Sequence, residues 1–131
     1  MINTPQIELD LEAITLRFAD CGAWEERYRQ LLLLAKQLKP MDVSLKIEEK
    51  QVEGCESEVW LHLHDNKLYV DSNARIIKGL LVIVLACLNK PTKEAKALFN
   101  HTLQELGLAH HLSESRNNGI SAIWREISSL D

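Results

Sequence analysis

A chain of 131 residues that is 46% hydrophobic and 26% charged has the size and composition of one globular domain spanning 1–131, outside the low-hydrophobicity range of disorder. Its formal charge of -4, with no long lysine and arginine cluster, argues against nucleic acid and leaves a protein as the easier partner. The opening MINTPQIELDLE lacks a basic or apolar leader and the longest apolar stretch, Gly79 to Leu88, is too short for a bilayer, so a cytoplasmic protein with no membrane partner is expected.

Thr4 and Pro5 are read as the cap and first residue of a helix carrying Ile7, Leu11, Ile14 and Phe18 until Cys21-Gly22 stops it. A second amphipathic helix places Trp24, Tyr28, Leu31, Ala35 and Leu38 on one face and ends before Pro40. From Lys39 to Gly54 no helical period persists, which suggests an extended connection with room for a short strand. Val59, Leu61 and Leu63 then alternate with Trp60, His62 and His64, and Asp65-Asn66 turns the chain into a second strand from Lys67 to Asp71.

Beyond Ser72 the run GLLVIVLACLN is apolar on nearly every side, as a central buried helix should be. Pro91-Thr92 opens a further helix to about Phe99, continued by helix or turn to Gly107. A last helix carries Ile120, Ile123, Trp124, Ile127 and Leu130. Helices at both ends and a small antiparallel sheet between them make an α+β domain with helices packed on one side of the sheet.

The three cysteines are odd in number and show neither zinc-knuckle nor dithiol spacing, so no disulfide framework, metal or cofactor is expected. Cys87 lies within the apolar run and reads as a core residue; Cys21 reads as a packed helix-end residue. Cys55 follows Gly54 on a connection, where it is either a reactive thiol that another molecule approaches or a packed residue beside a turn. No histidine is adjacent, and Glu53, Glu56 and Glu58 disfavour a thiolate if close, so a self-contained cysteine hydrolase is a poor reading. His62 and His64 share a strand face, while His101, His110 and His111 lie far along the chain and are read as solvated. Ser113, or alternatively Ser115, caps the last helix. Arg116 near that helix start opposes the macrodipole and is expected to lie near Cys55, pairing with Glu53, Glu56 or Glu58 or meeting a partner.

The stretches CGAWEERYRQLLLLAKQL, VEGCESEVWL, DSNARIIKGLLVIVLACL and LSESRNNGISAI resemble, in order and spacing, the SufE/CsdE family of sulfur-acceptor proteins, and QELGLAHHLSESRNNGISAI looks most similar to its CsdE branch. The resemblance implies a fold similar to IscU-type Fe–S scaffold proteins. It implies a pyridoxal-phosphate cysteine desulfurase as partner, its persulfide sulfur received on Cys55 and its turnover raised, with Ser115-Arg116 near the reactive loop as a possible auxiliary. It further implies onward delivery to an Fe–S scaffold or another downstream sulfur acceptor. Two rivals stay in view: an adaptor that regulates the desulfurase without carrying sulfur, and a stand-alone thiol enzyme. Val70 stands where the family pattern has glycine and Asn73 where an acidic residue is usual, departures that bear on the hairpin exit and on partner contact.

Overall fold

In the computed structural model, which describes residues 2–130, the elements are α1 (Leu11–Phe18), α2 (Trp24–Ala35), β1 (Val59–His64), β2 (Lys67–Ser72), α3 (Arg75–Cys87), α4 (Thr92–Glu105) and α5 (Glu114–Ser129). Short 3-10 turns occupy Val43–Leu45, Glu48–Lys50 and Ala109–His111. The α+β expectation holds: among the described residues five helices accompany a two-stranded antiparallel sheet. Among the described residues no helix is long and apolar enough to cross a membrane.

α3 is the axis of the core because its apolar residues leave no polar face over most of its length. Ile76, Ile77 and the run from Leu80 to Leu85 are all buried, and each such side chain removed from water contributes about 1.5–3 kcal/mol. Gly79 lets α2 approach: a Cβ there would overlap the carbonyl oxygen of Leu31 and crowd its side chain. Phe99 of α4 and Trp124 of α5 close the far side with ring centroids 5.6 Å apart.

The hairpin turns where the sequence places it. Asp65 and Asn66 both take positive φ, 50° and 61°, the combination of a two-residue turn whose twist matches the strands. Register follows, with Leu61 opposite Val70 and Trp60 opposite Asp71. The strict alternation expected of β1 does not hold: Val59, Trp60 and Leu61 are all buried. The reason is the preceding connection, which covers the outer face. Gln51 bridges to Trp60, the Val52 N–H donates to the Val59 carbonyl at 2.8 Å, and Lys46 sits 5.4 Å from the Trp60 ring centroid. Residues 39–54 thus supply two 3-10 turns and one bridging residue in place of a strand.

The N-terminal expectation also needs correcting, since α1 begins at Leu11, where the Asp10 side chain accepts from the Ala13 N–H at 2.8 Å. Thr4 is not helical, and Pro5 and Gln6 form a turn in an arm laid along β2. Leu68 N–H donates to Asn3 carbonyl at 2.8 Å. The buried amide of Gln6 accepts from Val70 N–H at 2.6 Å and donates to Val70 carbonyl at 2.8 Å. A helix from Thr4 would leave those edge groups of β2 unpaired. A two-stranded sheet is marginal alone and its edges invite foreign pairing; here Gln51-Val52 covers one edge and Asn3 and Gln6 the other.

At the C-terminal end, α4 runs unbroken to Glu105. α5 starts under Ser113, whose Oγ accepts from the Arg116 N–H at 3.2 Å, so the cap is Ser113 rather than Ser115.

Candidate functional site: the Cys55 loop and the start of α5

Tertiary packing lays the 54–57 loop, just before β1, on α5 at Gly119 and Ala122. Gly54 makes this approach possible in two ways. Its φ of 94° is one that other residues rarely adopt, and a Cβ there would stand 3.3 Å from the Ala122 Cβ. Cys55 follows with its thiol half-buried, donating to the Gly119 carbonyl at 3.5 Å. On the other side lies an open pocket of about 290 Å³, lined among others by Cys55, Glu56, Ser57, Ser115 and Arg116. Two sequence-selected residues, Cys55 and Arg116, therefore share one pocket although they lie far apart in the chain.

The charges are arranged differently from the sequence expectation. Burial pushes the Cys55 thiol above its ordinary pKa, and Arg125 opposes that rise. None of Glu53, Glu56 and Glu58 contributes to the shift. Glu58 is occupied elsewhere: its carboxylate accepts from Gln51 Nε2 at 3.1 Å and from Asn73 Nδ2 at 3.2 Å. The quiet thiol thus has a different cause, dehydration instead of neighbouring carboxylates. Among the described residues no ion pair joins Arg116 to any of the three glutamates, so of the two roles expected for it only contact with a partner stays open.

Asn73, one of the two departures from the family pattern, has a local explanation. Its Oδ1 accepts from the Glu58 N–H at 3.0 Å while its amide nitrogen donates to the Glu58 carboxylate; an acidic residue could do only the first. The other departure, Val70, is fully buried beneath Gln6.

The remaining thiols sit elsewhere. Cys87 is buried in α3 with its pKa pushed up to about 12, first by burial. Cys21 follows α1, only half-buried, beside a polar hollow lined by Arg17, Asp20, Glu25 and Glu26; burial and then the Glu26 carboxylate raise its pKa. It is less enclosed than the packed helix-end residue expected. His111 stacks on Trp24 at 4.4 Å and His101 pairs with Glu105. Among the described residues no group of three or more histidine, cysteine or acidic side chains could hold a metal ion.

This geometry can present one sulfur atom to an incoming molecule, with no base beside it to drive a hydrolysis. The sequence profile of the SufE family, described as "Fe-S metabolism associated domain", matches residues 12–130. The chain belongs to the SufE family. Within it, the chain is 39% identical over 128 residues to the sulfur acceptor protein CsdE of Escherichia coli (strain K12), an alignment covering 88% of this chain and 84% of the relative. The CsdE-like character expected from the 104–123 tract accords with that identity. Arg125, the cation beside the Gly54-Cys55 loop, escaped the sequence reading. Its one sequence signal is the three-residue step Gly119, Ala122, Arg125, which can be read as a track on α5 only when the loop is known to lie there.

Proposed function

We propose that this chain, acting as a single domain, is a sulfur carrier that takes persulfide sulfur onto Cys55 from a pyridoxal-phosphate cysteine desulfurase. It raises that enzyme's turnover and has none of its own. The observation that carries the reading is the position of Cys55, on a glycine-hinged loop at the mouth of an open pocket, in a chain of the SufE family. The name of the CsdE relative supplies the acceptor role.

The Cys55 thiolate attacks the outer sulfur of the donor persulfide. The donor's sulfur–sulfur bond breaks, the donor cysteine leaves as its thiolate, and Cys55 keeps the sulfane sulfur as a new persulfide. Emptying the donor cysteine allows the desulfurase another cycle, which is how a protein without its own turnover stimulates one that has it. A raised pKa suits a carrier, because the resting thiol stays protonated, while a thiol of ordinary or high pKa is the better nucleophile per thiolate once ionised. Release from Gly119 and rehydration on docking lower the barrier to that ionisation. Arg116, at the pocket rim, contacts the partner. The sulfur then moves to an Fe–S scaffold or another downstream acceptor. The rival of a stand-alone thiol enzyme lacks support, since among the described residues no histidine lines the Cys55 pocket.

Intact-mass analysis after incubation with a desulfurase and cysteine tests the proposal. Addition of one sulfur, removed by a reductant and absent in Cys55→Ser, is expected. Equal loading of Cys55→Ser overturns it, and desulfurase stimulation that survives in Cys55→Ser favours the adaptor instead.

A further inference from the structure

Arg125 lies one turn beyond Ala122 on the face of α5 that receives the 54–55 loop. Its Nη2 stands 3.8 Å from the point where a Gly54 Cβ would be. Among the described residues its guanidinium makes no ion pair, so no carboxylate there neutralises it. An exposed arginine on a helix is ordinarily solvated, and its side chain is free to extend away from the protein. Here it is folded back over a glycine whose missing side chain leaves the loop backbone bare.

We propose that Arg125 is the positioning residue for the Cys55 sulfur anion: held over Gly54, its guanidinium supplies the positive charge that offsets burial of the thiolate and then of the persulfide anion. The inference rests on the sulfur-carrier reading for its second half only, because the thiolate exists whether or not sulfur is ever accepted. The transfer step itself conserves charge. One thiolate is consumed at Cys55 and one is released on the donor, and the new persulfide ionises by losing a proton to solvent. Other charges facing Cys55 are Glu56 on its own loop and Arg116 across the pocket; Arg125, placed over the residue that precedes Cys55, favours the thiolate by Coulomb attraction. Such a charge keeps the sulfur anion over the loop without touching the face from which a donor arrives.

The test needs no desulfurase, which separates its outcome from that of the carrier proposal. The rate of iodoacetamide labelling of Cys55, read by peptide mass, is followed against pH in the wild-type chain, Arg125→Gln and Arg125→Lys. Loss of a solvent-screened cation is expected to lower the ionisation constant of Cys55 about two- to five-fold, so that the Arg125→Gln profile moves to higher pH. Arg125→Lys should restore most of the shift, and high salt should shrink the difference between wild type and Arg125→Gln. A coincident profile for wild type and Arg125→Gln overturns the proposal. So does a shift that salt and lysine leave untouched, since that would mark Arg125 as a packing residue. Arg125 is exposed, so the variants should fold, and far-UV circular dichroism checks that they do.

Discussion

Cys55 and Cys87 carry the same thiol, and at both the first cause of a raised pKa is burial, yet the two burials differ in kind. Cys87 is enclosed by α3 and its neighbours in the core, fully shielded from solvent. Exposing it means separating helices, at a cost approaching that of unfolding. Cys55 is half-buried, resting on Gly119 beside an open pocket, and a few residues moving together can free it. Dehydration that a local motion can undo is a control device, whereas dehydration that only unfolding can undo is structure.

The largest effect that could break this contrast is in labelling. In the native chain Cys55 should react with iodoacetamide at least about 10³-fold faster than Cys87, because access to Cys87 requires an opening as rare as global unfolding. Comparable rates measured by peptide mass would mean that the α3 core opens as easily as the loop.

Alkaline stability sharpens the same point. The Cys87 thiol ionises near 9.0 when unfolded and near 12 when folded, so the unfolded chain loses its proton first. The stability contributed by keeping this thiol neutral is complete below pH 9.0 and is lost as pH rises toward 12. Wild type should therefore lose stability relative to Cys87→Ala over that window, by up to about 1.4 kcal/mol per pH unit, as urea midpoints can report. At neutral pH the same substitution should cost only about 1 kcal/mol through a small cavity and leave sulfur loading of Cys55 intact. Parallel alkaline curves for the two proteins would argue that Cys87 is hydrated.

Two glycines of the site should respond in opposite directions. Gly54→Ala places a Cβ on a backbone with φ of 94° and 3.3 Å from Ala122, and is expected to cost about 1–3 kcal/mol and to speed Cys55 labelling by displacing the loop. Gly119→Ala adds a methyl in ordinary contact, 3.5 Å from the Cys55 sulfur, inside a helix. It should stabilise by about 0.5–1 kcal/mol. Thermal melts giving the same sign for both would show that the loop does not rest on α5 in this way.

The smallest expected effect concerns the loop's exit. Asn73→Asp sets a second carboxylate against Glu58 and removes a donated hydrogen bond. A loss of about 0.5–1 kcal/mol at pH 7 that fades as the pH falls through the carboxylate range is expected in denaturant titrations. A loss that persists at low pH would point to the backbone contact, which Asp retains, as the part disturbed.

The features legible in the sequence are those whose chemistry lies within a few neighbouring residues. Asp65-Asn66 specifies its turn because these side chains tolerate positive φ. Ser113 caps α5 because its hydroxyl reaches three residues ahead. The α3 run declares itself buried because no polar face interrupts it. Gly54-Cys55 was likewise visible as a loop thiol, and the motif around it carried the family resemblance. Tertiary structure decided what depends on residues distant in the chain. Gln6 and Val70, like Cys55 and Gly119, are 64 positions apart. No local period tells that Asn3 and Gln6 will pair β2, that Lys46 and Gln51 will cover Trp60, or that Arg125 will stand beside the Cys55 loop. Local sequence marks the thiol of interest, and what that thiol feels comes from the packing of the 54–57 loop on α5, because burial and Coulomb attraction depend on distance in space.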